Sequence, residues 1–342
     1  MNRWLRTSLF IALFPALVVA NDHTALQEID WLLKLGKTQQ VSKLLESLEE
    51  NKLSVNERQV FRVRILIADN KLEEAAELLE AMIEQDPDDA NLQVWYGRAN
   101  GLLAQQASIF SAAALAKRAK QAFEKAIELD PKFVPGYQGL AQYYAKAPAI
   151  AGGSIKKAKT VANQLMALNK LQGTMSLLAI AQEDEDEALI KRMIHTLASE
   201  FPHSAGAQLA VGFHFQKQKA YDKAYKAFTS AAFGSIDQPP VGVSQDSHLE
   251  AKLGALYQLG RNAVFSERHV AEGISALKQY LETETPPQLP SKQWAQFRLS
   301  KLYLLNDQKS LAKPILVSLK ETGEDKDLVK QVRKALNAHF SG

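Results

Sequence analysis

The sequence of 342 residues predicts an all-α protein, a solenoid of about eight antiparallel helix pairs that ends in a C-terminal capping helix. Two repeated packing patterns and the overall composition support this prediction. Apolar residues make up 46% of the chain and charged residues 23%, which is the balance of a protein that folds around a core. The chain has no cysteine, so disulfides and thiolate metal sites are excluded.

Residues 1–20 have the layout of a secretory signal peptide. Arg3 and Arg6 form a basic start, an apolar run extends from Leu9 to Val19, and a small residue, Ala20, ends the segment. The apolar run is shorter than the roughly 20 residues that a transmembrane helix needs. We therefore expect cleavage after Ala20 and no integral membrane span in the mature chain. Export without any cysteine suits the periplasm of a Gram-negative bacterium.

The net charge of the mature chain bears on whether nucleic acid is a partner. Removal of Arg3 and Arg6 leaves 39 basic and 38 acidic side chains, so the apparent basicity of the precursor largely disappears. A nearly neutral chain without a basic stripe does not favour nucleic acid as a partner.

A stripe of packing residues recurs along the chain. Ala75, Leu79 and Met82 are spaced four and three residues apart, so they share one face of a helix. The small residue at the head of the stripe lets another helix cross closely, and the larger residues fill the groove beside it. The same spacing recurs at Ala119, Phe123 and Ala126, at Ala224, Phe228 and Ala231, at Gly273, Leu277 and Tyr280, and at Ala312, Leu316 and Leu319.

A second pattern precedes each stripe: a bulky residue, a small one directly after it, and an aromatic residue three positions further. Leu140, Ala141 and Tyr144 show it, and it recurs at Val211, Gly212 and Phe215, at Leu253, Gly254 and Tyr257, and at Leu299, Ser300 and Tyr303. Together the two patterns resemble the tetratricopeptide repeat family, whose unit is two antiparallel helices in about 34 residues. The resemblance covers about 22–326 and implies a right-handed superhelix.

The organisation of the chain follows from these units. Helix pairs are predicted to begin near Asp22, Asn56, Ala90, Val134, Asn169, Ala205, Ser247 and Gln293, with the capping helix at about 326–340. Ser54 with Glu57 and Ser247 with Glu250 have the spacing of capping boxes. Prolines and a glycine interrupt the pattern at 237–246. We therefore assign 21–236 to a first array of about six pairs, 237–246 to a linker or hinge, and 247–342 to the remaining pairs and the capping helix.

Three pairs depart from the tight spacing of the family. Twelve residues separate the small residue from the stripe in the sixth and eighth pairs, whereas 22, 17 and 19 residues separate them in the third, fourth and seventh: Gly97 to Ala119, Ala141 to Ala158 and Gly254 to Gly273. In the third pair the simplest effect is two longer helices. In the seventh pair Arg261, Arg268 and Glu272 stand among apolar residues. We expect an internal ion pair there, with a ligand-facing role as the alternative.

The family resemblance also implies a concave inner surface, which the first helix of each pair lines. Its inward side chains come just after the small residue, three before it and four after it. In this chain the predicted groove residues at those positions are Arg64, Arg98, Gln138, Gln142, Phe213 and Gln216, together with others such as Val94, Ala251, Ala255, Phe297 and Lys301. Spaced arginines and amides suit a peptide backbone or carboxylates, and Phe213 with Phe297 suits apolar side chains.

The segment that connects the fourth pair contains a possible anion-binding turn. Gly152 and Gly153 permit a sharp backbone path, Ser154 can cap the next helix, and exposed amides beside Lys156 can accept an anion. A simple turn with an N-cap needs the same residues, and the segment has no phosphate-loop spacing.

The predicted function is that of a non-enzymatic periplasmic scaffold that binds a protein or peptide segment in its groove. No catalytic motif is present, and the seven histidines lack metal-ligand spacing, so we predict neither a metal nor a cofactor. The alternative is a carrier of a small anionic ligand at 152–157 or in the Arg261 region.

Overall fold

The computed structural model describes residues 22–48, 53–234, 240 and 243–340. Within these residues the chain forms 17 α-helices and no β-strand. The predicted signal peptide lies outside the described residues.

The helices form the eight predicted antiparallel pairs and the capping helix. Every pair begins within two residues of its predicted start. The pairs are α1 (Asp22–Lys34) with α2 (Thr38–Ser47), α3 (Val55–Ala68) with α4 (Leu72–Gln85), α5 (Ala90–Gln106) with α6 (Ile109–Leu129), α7 (Val134–Lys146) with α8 (Ile155–Leu168), α9 (Lys170–Glu183) with α10 (Glu187–Glu200), α11 (Ala205–Lys217) with α12 (Tyr221–Thr229), α13 (Gln245–Ser266) with α14 (Val270–Glu282), and α15 (Lys292–Leu305) with α16 (Lys309–Thr322); the capping helix is α17 (Lys326–Phe340).

One reversal turn recurs between the two helices of a pair. In five pairs the turn contains a residue in the left-handed conformation: Gly36, Asn70, Glu185, Lys219 and Asp307. The next amide then donates to the carbonyl five residues before it, as in Lys71 N to Leu66 O at 2.8 Å. This is the helix-ending arrangement that glycine usually permits. Four of the five positions carry other residues, so the repeated turn was not evident from the sequence.

The packing stripes work as predicted, because a small residue of the first helix receives a large one of the second. A Cβ atom on Gly212 would lie 2.3 Å from the ring of Phe228, which is fully buried. In the third pair a Cβ on Gly97 would lie 2.7 Å from Phe123. These first helices therefore depend on glycine for their close crossing.

The seventh pair corrects one prediction. Its close crossing lies at Gly260, where a Cβ would be 2.3 Å from Leu277, whereas at Gly254 the nearest neighbour would be at an ordinary 3.4 Å. The extra residues therefore extend the beginning of the 22-residue helix α13. The prediction that they lie between the close crossing and the stripe at Gly273 was wrong. In the third pair, by contrast, the two predicted longer helices are confirmed, with 17 residues in α5 and 21 in α6.

The two predicted capping boxes have different outcomes. Ser54 and Glu57 exchange the expected hydrogen bonds at the start of α3. Ser247 lies inside α13, which begins at Gln245 after the N-cap Ser244, so the second capping box was wrong. Glu250 instead binds a lysine of the first pair.

The predicted linker at 237–246 lies only partly within the described residues, and its last two residues already belong to α13. A single cluster of buried apolar side chains extends from Ala224 of α12, through Leu253 and Leu277 of the seventh pair, to Ala335 of α17. The sixth pair is therefore packed continuously onto the seventh.

The first pair also touches the seventh, although about 200 residues separate them. Lys34 Nζ binds the carboxylate of Glu250 and lies 3.6 Å from that of Asp246, and Lys37 Nζ lies 2.6 Å from Glu284. Trp31 packs against the apolar cluster of the C-terminal pairs. We call these residues the closure contact, because they join the beginning of the array to α13 and the segment after α14.

Candidate binding surface

The first helices form the inner side of the array. The helices α1, α3, α5, α7 and α9 contact one another in succession, as do α11, α13 and α15. Second helices of successive pairs make no comparable contact in the described part of the chain. Elements on the inside of a curve are crowded and those on the outside are spread apart. The first helices therefore line the concave side, as the family resemblance implied.

In six of the eight first helices, one equivalent position faces the open side of this wall. The residue directly after the close-crossing residue is exposed at Arg98, Gln142 and Phe213 and partly exposed at Arg64 and Lys301. Since the crossing in the seventh pair lies at Gly260, the equivalent residue there is Arg261 rather than the fully buried Ala255. We call this set the inner row: Arg64, Arg98, Gln142, Phe213, Arg261 and Lys301.

The position three residues before the crossing is mainly a packing position. Val94 and Phe297 are buried at this position, as is Tyr257 in the seventh pair, so the predicted apolar pocket at Phe297 was wrong. Ala251, which the sequence placed on the wall by counting from Gly254, is buried as well. Gln138 donates from Nε2 to Oε1 of Gln172 on the next first helix, at 2.8 Å. Gln138 therefore links two repeats.

Gln216, predicted in the groove four residues after the crossing, is also a linking residue. It is buried, and its Oε1 accepts a hydrogen bond from Arg261 at 3.0 Å while its Nε2 lies 3.4 Å from Oδ1 of Asn262. The structure therefore corrects its assignment from an exposed groove residue to a bridge between α11 and α13.

An arginine and tryptophan cluster lies at one end of the inner row. The guanidinium carbons of Arg98 and Arg64 lie 4.7 and 5.6 Å from the centre of the Trp95 ring. Arg64 is also paired with Asp30 of α1, at 2.7 Å. Arg98 has no carboxylate partner among the described residues. Arg64 and Arg98 are two of the groove residues predicted from the sequence, whereas Trp95, which lies two residues before the crossing, was not among them.

Arg98 combines solvent access with incomplete hydration. Its side chain is exposed, yet desolvation is the main cause that lowers its pKa, followed by the charge of Arg64. Exposure and desolvation are compatible here because Arg98 lies on the inside of a curved wall, where its side chain reaches solvent but has protein on several sides. Arg98 remains charged, since an arginine pKa starts far above neutrality.

The ion pair expected within the seventh pair does not form as predicted. Arg268 pairs with Asp222 of α12 at 2.7 Å, and both side chains are more than half exposed. Glu272 lies 4.0 Å from the ring of His269. Arg261 has neither of these carboxylates as a partner and instead donates to Gln216 and to Gln258.

The turn at 152–154 is tightly built. Gly152 has φ +90°, and a Cβ on Gly153 would lie 1.7 Å from a carbonyl oxygen, so both glycines are required by the backbone. Three successive amides, those of Gly152, Gly153 and Ser154, donate to the carbonyls of Ala149, Pro148 and Tyr144. Ser154 caps α8 as predicted. The amides of Gly152, Gly153 and Ser154 are therefore engaged within the protein and do not point to a ligand.

Among the residues that the structure describes, no group of three or more histidine and acidic side chains is arranged to hold a metal ion. None of the described helices combines the length and apolar character required to span a bilayer.

The paired helices, the close crossings and the repeated reversal turn give this chain the fold of a helical-repeat protein of the tetratricopeptide type. Similar solved structures include PilF of Pseudomonas aeruginosa, with 12% identity, coverage of 70% of this chain and 97% of PilF, and a TM-score of 0.44. A tetratricopeptide repeat protein of Parabacteroides merdae has 14% identity, coverage of 81% and 97%, and a TM-score of 0.42. YrrB is described as a tetratricopeptide repeat protein with an unusual peptide-binding site. It has 16% identity, coverage of 76% of this chain and 99% of YrrB, and a TM-score of 0.34. No family model and no curated protein matches the sequence.

Proposed function

We propose that this protein is a non-enzymatic adaptor, exported to the periplasm, whose inner row binds a segment of another protein. The observation that supports the proposal most strongly is the inner row itself. Six of the eight first helices expose one side chain each at equivalent positions, while the neighbouring positions are mostly buried or joined to the next repeat. Such a ladder presents regularly spaced contacts to an extended chain.

The chemistry of the inner row fits a peptide better than a compact metabolite. Arg98 and Gln142 supply donors to backbone carbonyls or carboxylates, and Phe213, which is 43% exposed, supplies an apolar surface. These side chains lie on three different first helices, α5, α7 and α11. A ligand that reaches all of them must be extended across several repeats.

Export is part of the same proposal and depends on residues 1–20. The basic start and the short apolar run support secretion of the mature chain. The alternative function is a small-ligand carrier, and the Arg261 region supports it better than the turn at 152–154, whose own three amides donate to carbonyls of the protein.

Site-directed crosslinking tests the adaptor role. A photoreactive residue at Gln142, on the inner row, is expected to crosslink a defined protein in intact cells. The matched control is the same residue at Gln121, an exposed glutamine on the second helix α6, which should not. The substitution Arg98→Ala is expected to weaken the crosslink at position 142 at least tenfold, whereas Arg333→Ala, an exposed arginine on α17, should leave it unchanged.

Two results would contradict the proposal. Crosslinks of equal yield at positions 142 and 121 would show that the inner row has no special role. Retention of the chain in the cytoplasm, measured by cell fractionation, would remove the periplasmic assignment and leave the adaptor role to stand alone.

A further inference from the structure

Two arginines with no carboxylate partner among the described residues lie on the first helices of the seventh and eighth pairs. The guanidinium carbons of Arg261 and Arg298 lie 5.0 and 5.5 Å from the centre of the same ring, that of Phe265. No carboxylate of the described residues lies within 4.0 Å of either guanidinium. The Nε atom of Arg298 is buried and has no hydrogen-bond partner.

Arg298 is held in place by packing against aromatic rings and Arg261 by hydrogen bonds, rather than by opposite charge. Arg298 lies against Trp294 and Phe297 as well, at 5.4 and 5.6 Å from the ring centres. Arg261 is fixed by its hydrogen bonds to Gln216 and Gln258. The side chains are therefore ordered before any ligand arrives, which lowers the entropy that binding costs.

The electrostatics of this site favour an anion. Burial lowers the pKa of Arg261, and the positive charge of Arg298 lowers it further. The Arg261 guanidinium is therefore poorly hydrated and stands close to a like charge. An oxyanion bound at this pair relieves the repulsion and supplies acceptors for guanidinium groups, which bind carboxylates through paired hydrogen bonds.

The surroundings indicate what the anion is attached to. Phe265 is 41% exposed near the C-terminal end of α13. Trp294 is also partly exposed. These rings offer an apolar surface beside the two charges.

We propose that Arg261 and Arg298 form a binding site for an organic carboxylate whose apolar part lies on Phe265. The carboxylate belongs either to a free small acid or to the end of a peptide chain, since both present the same chemistry. Arg261 also belongs to the inner row, but the proposal does not need the rest of that row, because both guanidinium groups and the Phe265 ring lie on α13 and α15 and α11 contributes only the supporting Gln216.

Binding of N-acetylphenylalanine to the full mature chain tests this site. N-acetylphenylalanine amide is the matched ligand, because it keeps the aromatic ring and lacks the carboxylate. We expect the acid to bind at least ten times more tightly than the amide by calorimetry. The variant Arg298→Met keeps the apolar stem against the rings and should weaken binding of the acid at least tenfold. Arg298→Lys keeps the charge without the paired donors and should give an intermediate affinity, and Arg333→Met should bind like the wild type.

A second comparison distinguishes the two sources of the carboxylate. A ten-residue peptide that ends in phenylalanine is tested with a free and with an amidated C-terminus. Affinity of the free peptide well above that of N-acetylphenylalanine assigns the site to a peptide end, and equal affinity assigns it to a small acid. Equal binding of acid and amide, or unchanged binding in both Arg298 variants, would overturn the proposal, whatever the crosslinking at Gln142 shows.

Discussion

The closure contact predicts that a single charge reversal opens the array. In the variant Lys34→Glu, the carboxylates of Glu250 and Asp246 face a negative charge instead of an ammonium group. A partly exposed ion pair is worth about 0.2–1 kcal/mol, and Lys34 serves two carboxylates. Loss of the attraction together with the new repulsion should therefore cost about 1–2 kcal/mol. This free energy corresponds to a change of roughly 5–30-fold in the ratio of closed to open molecules.

Fluorescence transfer between two labels measures this change directly. The chain has no cysteine, so Gln40→Cys on α2 and Lys278→Cys on α14 provide unique attachment points on the two sides of the contact. Both side chains are exposed. Transfer is expected to fall in Lys34→Glu. The control is Lys43→Glu, which makes the same change in charge at an exposed lysine of α2 that has no ion-pair partner in the described part of the chain.

Changes in ionic strength and a substitution of Trp31 separate the ionic part of the closure contact from its apolar part. Raising the ionic strength from 0.05 to 0.5 M should reduce the difference between wild type and Lys34→Glu, because the exposed charges are screened over about 10 Å or less. Trp31→Ala, which removes apolar packing, should open the array without that salt dependence. Transfer that stays equal in wild type, Lys34→Glu and the double variant with Trp31→Ala would refute the reasoning.

Three further predictions concern stability. Gly212→Ala should lower the free energy of unfolding by about 1–3 kcal/mol, because the new methyl group overlaps the ring of Phe228. Gly206→Ala in the same helix meets open space and should raise the free energy of unfolding by about 0.5–1 kcal/mol. Urea unfolding of both variants checks this prediction. Lys292→Met should cost about 1–3 kcal/mol in the same assay, since the ammonium group of Lys292 donates to three carbonyls at the end of α14. Burial raises the pKa of Tyr280 to about 12. Its neutral phenol therefore stabilises the fold fully below pH 10, and this contribution is lost as the pH rises towards 12. Thermal melts at pH 8 and 11 should show a larger loss in the wild type than in Tyr280→Phe, and equal losses would contradict the assignment.

Much of the fold was predictable because its signals are local. The spacing of Ala224, Phe228 and Ala231 lies within two turns of one helix, and it specifies which face is buried. The seventh pair shows the limit of such signals. Leu253 with Gly254 and Leu259 with Gly260 are the same dipeptide in one helix, and only the position of Leu277 shows that the second is the crossing.

The binding surface was predicted less completely, because its features depend on contacts between distant residues. Gln138 and Gln216 stand at positions that face inward in the resembled family, but the neighbouring helix is close enough here to bind both side chains. Arg298 was missed because it lies two residues before the crossing, outside the positions that the family pattern indicates. Its neighbours Trp294 and Phe297, with no acidic residue one turn away, were the signal that could have found it.

The junction of the first pair with the seventh changes how this molecule should come apart. In an open stack of repeats each unit depends only on its neighbours, so disorder can begin at either end and advance unit by unit. Here the N-terminal unit is held from two sides, by the second pair and by α13. Melting from that end must first break a long-range junction, so the first seven pairs should lose their structure together rather than in sequence.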